Sequence, residues 1–122
     1  MKTIADIQAA VEAFAAERDW NKFHSPKNLA MALSVEAAEL LEHFQWLSEE
    51  QSQNLNNDVK KDVAREIADI QVYLARIAAK LQIDIYSAVT EKMQENAEKY
   101  PADKVRGKAD KYTAYQNDST NG

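Results

Sequence analysis

Two pairs of acidic residues with the same spacing are the side chains of this sequence best suited to chemistry. Glu36 and Glu39 are three positions apart, and Glu66 and Asp69 repeat that spacing. Residues three apart lie on the same face of a helix, so each pair presents two carboxylates side by side. Four carboxylates that converge on an apolar groove repel one another unless a cation lies among them. Oxygen ligands suit a hard cation, so the pairs predict a Mg²⁺ site that Mn²⁺ could also occupy.

Two other interpretations of the acidic pairs compete with a magnesium site. Carboxylates at the edge of a helix's apolar face are often simply solvated, and a single pair would favour that interpretation. A di-iron helical bundle uses Glu-x-x-His repeats, but the residue three before His43 is Leu40, and the helix that carries the second pair contains no histidine. Glu36 lies in the apolar phase of its own helix, which favours a metal site and makes Glu36 the candidate general base. His43 is assigned to structure or to an interface.

Helices must position these carboxylates, because apolar residues recur with a helical period along most of the chain. No glycine or proline occurs between residues 27 and 100. Ser25 and Pro26 form a helix start, with a hydroxyl cap followed by a first-turn proline. The pattern predicts an all-α protein with a four-helix-bundle-like protomer. On the fourth helix, Ile85, Val89 and Met93 are expected to face inward. The helices are expected at about residues 3–18, 26–47, 58–81 and 84–100, in one domain over residues 1–115 with a flexible tail at 116–122.

Composition excludes several classes of function. The 122 residues suffice for one domain with a core, and at 45% hydrophobic and 29% charged they are typical of a globular protein. A net charge of −5 argues against binding a polynucleotide backbone. The only glycines are Gly107 and Gly122, so a glycine-rich phosphate loop is absent. The lack of cysteine excludes thiolate chemistry. Without a long apolar run or a signal-peptide pattern, the sequence predicts a cytoplasmic protein with no membrane partner.

The acidic pairs and their neighbours resemble a known family. Glu36-Ala37-Ala38-Glu39 and Glu66-Ile67-Ala68-Asp69 are similar to the ExxE…ExxD signature of the MazG-like all-α nucleoside triphosphate pyrophosphatases. The flanking sequence narrows the resemblance to the dCTP pyrophosphatase branch, over about residues 5–115. The flanking segments are Phe14-Ala15-Ala16-Glu17-Arg18-Asp19-Trp20, Phe23-His24, Asn28-Leu29, Phe44-Gln45-Trp46, Lys92-Met93, Asn96, Tyr100-Pro101 and Lys111-Tyr112-Thr113.

The resemblance implies an activity and assigns roles to residues. Members of this family cleave the α–β phosphate bond of nucleotides with Mg²⁺, releasing a monophosphate and pyrophosphate. The residues that match the metal ligands are Glu36, Glu39, Glu66 and Asp69. The residues that match nucleotide-binding positions are the loop Trp20, Asn21, Lys22, Phe23 and His24, the base and sugar pocket residues Trp46 and Tyr73, and the phosphate-contacting Lys92 and Asn96. The family works as dimers and tetramers, so the resemblance also implies a homotetramer.

Two departures from the family pattern bear on the substrate. Val11 stands where animal relatives have a base-contacting histidine, and Val35 stands before Glu36 where a charged pair often opens the motif. A dCTP-like deoxynucleotide is the predicted substrate, with measurable turnover of at least one other deoxynucleotide. The same chemistry on dATP, dUTP or a modified nucleotide is one alternative. A non-catalytic helical interaction module is the other.

Overall fold

The computed structural model describes residues 2–107, and every regular element among them is helical. A 3₁₀ turn at Asn21–Phe23 follows the first helix. The α-helices are α1 (Ile4–Glu17), α2 (Pro26–Glu42), α3 (Glu49–Ser52), α4 (Asn57–Lys80), α5 (Ile85–Lys99) and α6 (Ala102–Val105). The all-α prediction is confirmed. The predicted tail at 116–122 and the match at Lys111-Tyr112-Thr113 lie outside the described residues.

The chain divides into two compact units, which are described separately. The first ends at Asp84 and holds α1 to α4, and the second begins at Ile85 and holds α5 and α6. In the first unit α4 packs against both α1 and α2, so it is the central helix of that unit. The single domain expected over residues 1–115 stays a prediction. No helix within residues 2–107 is both long and apolar enough to cross a lipid bilayer.

Polar caps explain where the helices of the first unit begin. The Thr3 hydroxyl accepts from the Asp6 amide at 3.1 Å, and the Asp6 carboxylate accepts from the Thr3 amide at 3.2 Å. Ser25 caps α2 just before Pro26, as predicted. The Asn56 side chain caps α4 in the same way. Each such cap stabilises its helix by about 1 kcal/mol. Three of the predicted helix starts therefore lie within a few residues of the observed ones.

The end of α2 and the segment after it differ from the prediction. Helix α2 ends at Glu42, earlier than the expected Leu47. The backbone amides of Phe44 and Leu47 each donate to the carbonyl three residues earlier at 2.9 Å, so the chain continues as turns. The following stretch, expected to be an irregular connection, contains the short helix α3. A capping box between Ser48 and Gln51 accounts for it, because it satisfies amides at both positions.

The interior of the first unit is small. Its buried apolar side chains within residues 2–84 are Ala15, Leu29, Val63, Ala75 and Ala78. Several large apolar side chains of α2 and α4 remain exposed instead. They include Met31, Val35, Leu41, Ile67 and Leu74. A single copy of the chain therefore leaves apolar helix faces uncovered.

The expected inward face of α5 is only partly observed. Ile85 is half-buried, but Val89 is exposed and Met93 is 62% exposed. The prediction that Val89 and Met93 point into the core is wrong for this chain. Helical periodicity identifies which face of a helix is apolar, but it does not show what covers that face.

Candidate functional site

Three of the four predicted carboxylates come together between α2 and α4. Glu36 and Glu39 of α2 and Glu66 of α4 each offer one oxygen, and these oxygens lie within 4.8 Å of one another. All three side chains are half-buried. One oxygen of Glu36 and one of Glu66 are fully buried and have no hydrogen-bond partner within the described residues. Buried acceptors without donors are costly. The chemistry of this donor set therefore fits a hard metal cation, which would satisfy both oxygens.

The crowding of these carboxylates is visible in the protonation of Glu36. The neighbouring Glu66 carboxyl raises the pKa of Glu36 to about 7, and burial and the charge of Glu39 act in the same direction. Carboxylates that share a site cannot all ionise without a counter-charge. In the metal-free protein Glu36 consequently holds a proton at a pH where an isolated carboxyl would have lost it.

Asp69 lies beside the three converging carboxylates rather than among them. Its side chain is exposed, and it is absent from the group whose oxygens converge. Its negative charge nevertheless helps to raise the pKa of Glu36. Burial is the largest cause of the raised pKa of Tyr73, and the charges of Glu36 and Asp69 follow. Asp69 is therefore close enough to the cluster to act on its electrostatics.

His43 contacts the cluster, a role that the sequence did not suggest. Its Nε2 lies 3.7 Å from a Glu66 oxygen, and both side chains are largely shielded from solvent. His43 is the C-cap of α2 and keeps helical backbone angles, so its ring continues the face of the helix that carries Glu39. The assignment of His43 to structure is compatible with this position, because its ring contacts the Glu66 carboxylate.

A cavity of about 130 Å³ adjoins the carboxylates within the first unit. Helix α1, the segment around the 3₁₀ turn and helix α4 enclose it. Its apolar lining includes Val11, Phe14 and Val72, its aromatic lining Trp20 and Tyr73, and its polar lining His24, Asp69 and Arg76. An engineered protein cavity of about 150 Å³ holds one benzene molecule. The cavity is thus of the size of one six-membered ring, and Asp69 connects it to the acidic cluster.

The predicted nucleotide-binding residues are only partly assembled around this cavity. Trp20, His24 and Tyr73 line it, and so does Val11, the position that departs from the family pattern. The Trp20 ring packs edge-on against Phe14 with 5.6 Å between ring centroids. These four residues belong to three separate parts of the chain, and the fold brings them to one cavity.

Other predicted binding residues do not line the cavity. Lys22 is exposed and forms an ion pair with Asp19 at 3.0 Å, and Phe23 is exposed. Trp46, in the turns after α2, is 85% exposed. Their roles in binding stay predictions.

The predicted phosphate-binding residues both lie on α5, in the second unit. Lys92 is exposed and lies 3.5 Å from Glu95, whereas Asn96 is half-buried. They are four positions apart, so they share one face of the helix as expected. Their contact with phosphate stays a prediction.

A buried arginine at the base of the cavity was missed from the sequence. Arg76 is 2% exposed and donates to Glu12 at 2.6 Å and to Asn21 at 2.7 Å. Its spacing offered a signal, because it continues the polar stripe of Asp69 and Tyr73 along the same face of α4. A charged residue in that phase, next to apolar neighbours, indicates a buried polar network.

We expect the Glu36 carboxyl to make the stability of the metal-free protein depend on pH. Between about pH 4.5 and 7 Glu36 is protonated in the folded chain and ionised in the unfolded chain. The folded state then binds more protons, so this contribution to stability is lost as pH rises through 7. The lowered pKa of His24, caused first by burial, acts in the opposite direction.

Glu36→Gln separates the contribution of the Glu36 carboxyl from that of His24, because the variant loses the carboxyl and keeps the histidine. Urea unfolding of both proteins with a chelator, from pH 5 to pH 8, gives the comparison. The wild type should lose stability relative to the variant as pH rises. A constant difference across this range would contradict the raised pKa of Glu36.

Three comparisons with known proteins bear on this site. The model of the MazG-like family matches residues 31–114. The chain is 41% identical over 113 residues to dCTP pyrophosphatase 1 of rat and 39% identical to that of human, covering 91% of this chain in both alignments. It spans 66% of the length of these two relatives. A crystal structure of a pyrophosphatase from Archaeoglobus fulgidus is similar, with a TM-score of 0.75 and 39% identity over 80% of this chain and 91% of the archaeal one.

Proposed function

This chain belongs to the MazG-like family, and we therefore propose that it is a nucleoside triphosphate pyrophosphatase acting on dCTP. The observation that carries the proposal is the position of the acidic cluster beside a cavity that fits one ring. A nucleotide with its base in the cavity would extend its phosphates toward the carboxylates. The similarity to rat and human dCTP pyrophosphatase 1 and to the archaeal pyrophosphatase supports the same reaction.

The carboxylates have distinct roles in this reaction. Glu36, Glu39 and Glu66, whose oxygens converge, would hold Mg²⁺, and Asp69 beside them would be the fourth ligand, as its match to the family signature implies. When bound, the metal neutralises phosphate charge and supplies a Lewis acid for phosphoryl transfer. Glu36 is the proposed general base, because it lies in the apolar phase of α2 and is half-buried among the converging carboxylates. Its carboxylate accepts the proton of the water whose oxygen attacks the α-phosphorus. The bond from that phosphorus to the bridging oxygen breaks, and pyrophosphate leaves with both electrons.

The cavity favours a deoxynucleotide with a single-ring base. Trp20 and Tyr73 offer aromatic faces for stacking, which recognises a flat ring without reading its edge. Val11 adds no hydrogen-bonding group to the lining, so base choice is less strict than with a polar residue there. We propose that dCTP is preferred and that another deoxynucleotide is also hydrolysed. Ribonucleotides are poorer substrates, because an aromatic wall formed by Trp46 leaves the 2′-hydroxyl unpaired.

The remaining residues complete the proposed substrate site. Lys92 and Asn96 match family positions that contact phosphate, and Lys22 and Phe23 match the family's nucleotide-binding loop, so we propose these roles for them. The apolar faces of α2 and α4 that one chain leaves exposed support a homotetramer, whose mass light scattering would report as four times that of one chain. A monomer at micromolar concentration would contradict this assembly. The cytoplasmic location stays a prediction.

Hydrolysis of a nucleotide panel tests the function. Turnover of dCTP, dUTP, dATP and CTP with Mg²⁺ is followed by measuring the monophosphate and pyrophosphate formed. We expect dCTP to have the highest kcat/KM, with CTP and dATP lower. Release of orthophosphate, or no turnover of any nucleotide, would contradict the proposal.

A binding measurement separates an enzyme from an interaction module. A non-hydrolysable dCTP analogue with Mg²⁺ should stabilise the protein by about 2.7 kcal/mol at 100 times its Kd. The interaction module, the alternative kept from the sequence, predicts no shift.

A further inference from the structure

Arg76 joins the loop that lines the cavity to the helix that carries the acidic residues. The guanidinium is buried, and one of its nitrogens donates to Asn21 at 2.7 Å while lying 3.4 Å from Nδ1 of His24. Asn21 begins the 3₁₀ turn, and His24 directly follows it. One nitrogen therefore contacts both ends of the turn. The other terminal nitrogen donates to Glu12 of α1 at 2.6 Å, so a single side chain links α4, α1 and the turn.

The arginine also decides the chemical form of the His24 ring. An arginine nitrogen can only donate, so Nδ1 of His24 must be the acceptor in this contact. The proton of the neutral ring is then on Nε2. Burial lowers the pKa of His24, and the positive charges of Arg76 and Lys80 lower it further. His24 lines the cavity as a neutral ring whose remaining polar group is an N–H donor.

We propose that Arg76 is a positioning residue, which fixes the turn from Asn21 to His24 against α4 and holds His24 as an Nε2–H donor for the substrate base. The inference rests on the proposed function for its substrate. An N–H donor pairs with an acceptor on the base edge, and every pyrimidine carries the O2 carbonyl oxygen. The donor then anchors the O2 edge of any pyrimidine, and the size of the cavity disfavours the larger purines. The site separates cytosine from uracil less sharply, because O2 is common to both.

The geometry makes Arg76 separable from the acidic cluster. Arg76 lies beyond Asp69 and Tyr73 along α4, and its polar contacts within residues 2–107 are to Glu12, Asn21 and His24. Its Nε is buried without a partner within that part of the chain. Glu12, the ion-pair partner of Arg76, is 45% exposed, so water can solvate its carboxylate when the arginine is replaced. Arg76→Met is therefore a suitable probe of positioning.

The first measurement is the tautomer of His24, which needs neither metal nor substrate. Nitrogen-15 NMR of the imidazoles distinguishes a proton on Nε2 from one on Nδ1, and the chain contains only two histidines. His43→Asn assigns the two rings. We expect Nε2–H for His24 in the wild type and a mixture of tautomers in Arg76→Met. Glu12→Gln changes the partner of one guanidinium nitrogen and leaves in place the other, which contacts His24. This variant should keep the wild-type tautomer of His24.

The second measurement is steady-state kinetics on dCTP, dUTP and dATP. Arg76→Met should raise KM for both pyrimidine nucleotides by about tenfold, with kcat changed much less. The ratio of kcat/KM for each pyrimidine nucleotide to that for dATP should therefore decrease. Arg76→Lys should recover only part of this, because a single ammonium cannot reproduce the fork of an arginine. Arg65→Met is the matched control, since Arg65 is on α4 but exposed and paired with Asp62.

The two measurements separate the inference from the function on which it rests. An unchanged His24 tautomer in Arg76→Met, or an unchanged KM and pyrimidine preference in both Arg76 variants, would overturn the positioning role. If Arg76→Met does not fold, the KM values of Arg76→Lys provide the comparison, because a lysine ammonium can still donate to Nδ1 of His24 and leave the tautomer unchanged. A wild-type protein that hydrolyses no deoxynucleotide would overturn the proposed function. The NMR spectra would then still decide whether Arg76 fixes His24.

Discussion

Replacing Glu39 with glutamine, or Asp69 with asparagine, is expected to lower the Mg²⁺-dependent release of pyrophosphate from dCTP by about 10³-fold. Glu39 offers an oxygen to the group that converges between α2 and α4, and Asp69 lies where that group meets the cavity. Either change removes a negative charge from the proposed metal site. The metal-free fold should be as stable as the wild type or more stable, because repulsion among the carboxylates decreases.

Two controls make this prediction specific. Glu42→Gln changes an exposed carboxylate on α2 outside the converging group, and Asp62→Asn does the same on α4. Both should keep nearly full activity. Magnesium titrations followed by thermal unfolding separate the loss of metal from the loss of chemistry. Retained activity in both Glu39→Gln and Asp69→Asn would exclude the four-ligand assignment, whereas retention in Asp69→Asn alone would limit the site to the three converging residues.

Replacing Trp20 with alanine should raise KM for dCTP by about 10- to 100-fold and affect kcat less. Stacking of a base on an aromatic side chain contributes about 1–3 kcal/mol, and about 1.4 kcal/mol corresponds to a factor of ten. Trp20 lines the cavity and is held against Phe14. Trp20→Phe keeps a ring at this position and should restore most of the affinity.

Trp46 provides the comparison within the same chain. It is exposed and lies outside the cavity lining, and the sequence nevertheless predicts that it packs against the sugar. Trp46→Ala is expected to raise KM and to narrow the preference for dCTP over CTP, whereas Trp20→Ala should affect both nucleotides equally. A larger effect of Trp46→Ala on every base, with Trp20→Ala near wild type, would place the base away from the cavity.

Local signals in the sequence accounted for most of the fold. Periodicity identified the long helices, and Ser25 with Pro26 marked the start of α2 correctly. The spacing of Glu36 and Glu66 with their partners identified two neighbouring acidic faces, because helix geometry fixes which residues share a face. That the two faces meet follows from the packing of α2 against α4.

The parts that the sequence did not provide depend on contacts between distant residues. Arg76 reaches Glu12 and Asn21 across long stretches of chain, and no local pattern states which polar groups a buried guanidinium will meet. His43, at the C-cap of α2, contacts Glu66 of α4, and a pattern on α2 alone does not show that partner. The exposure of Met93 could not be predicted for the same reason, since the apolar pattern of one helix does not show which other element packs against it.

The small interior of the first unit links folding to the abundance of the protein. Few large side chains are buried within residues 2–84, so one copy gains little free energy by folding alone. In the proposed tetramer, association of the copies supplies the rest of the stabilising free energy. The folded fraction then rises with the concentration of the protein. Newly made copies at low abundance would open more often and be cut by proteases sooner. The rate of synthesis would thereby set how long each copy survives, as well as how many copies exist.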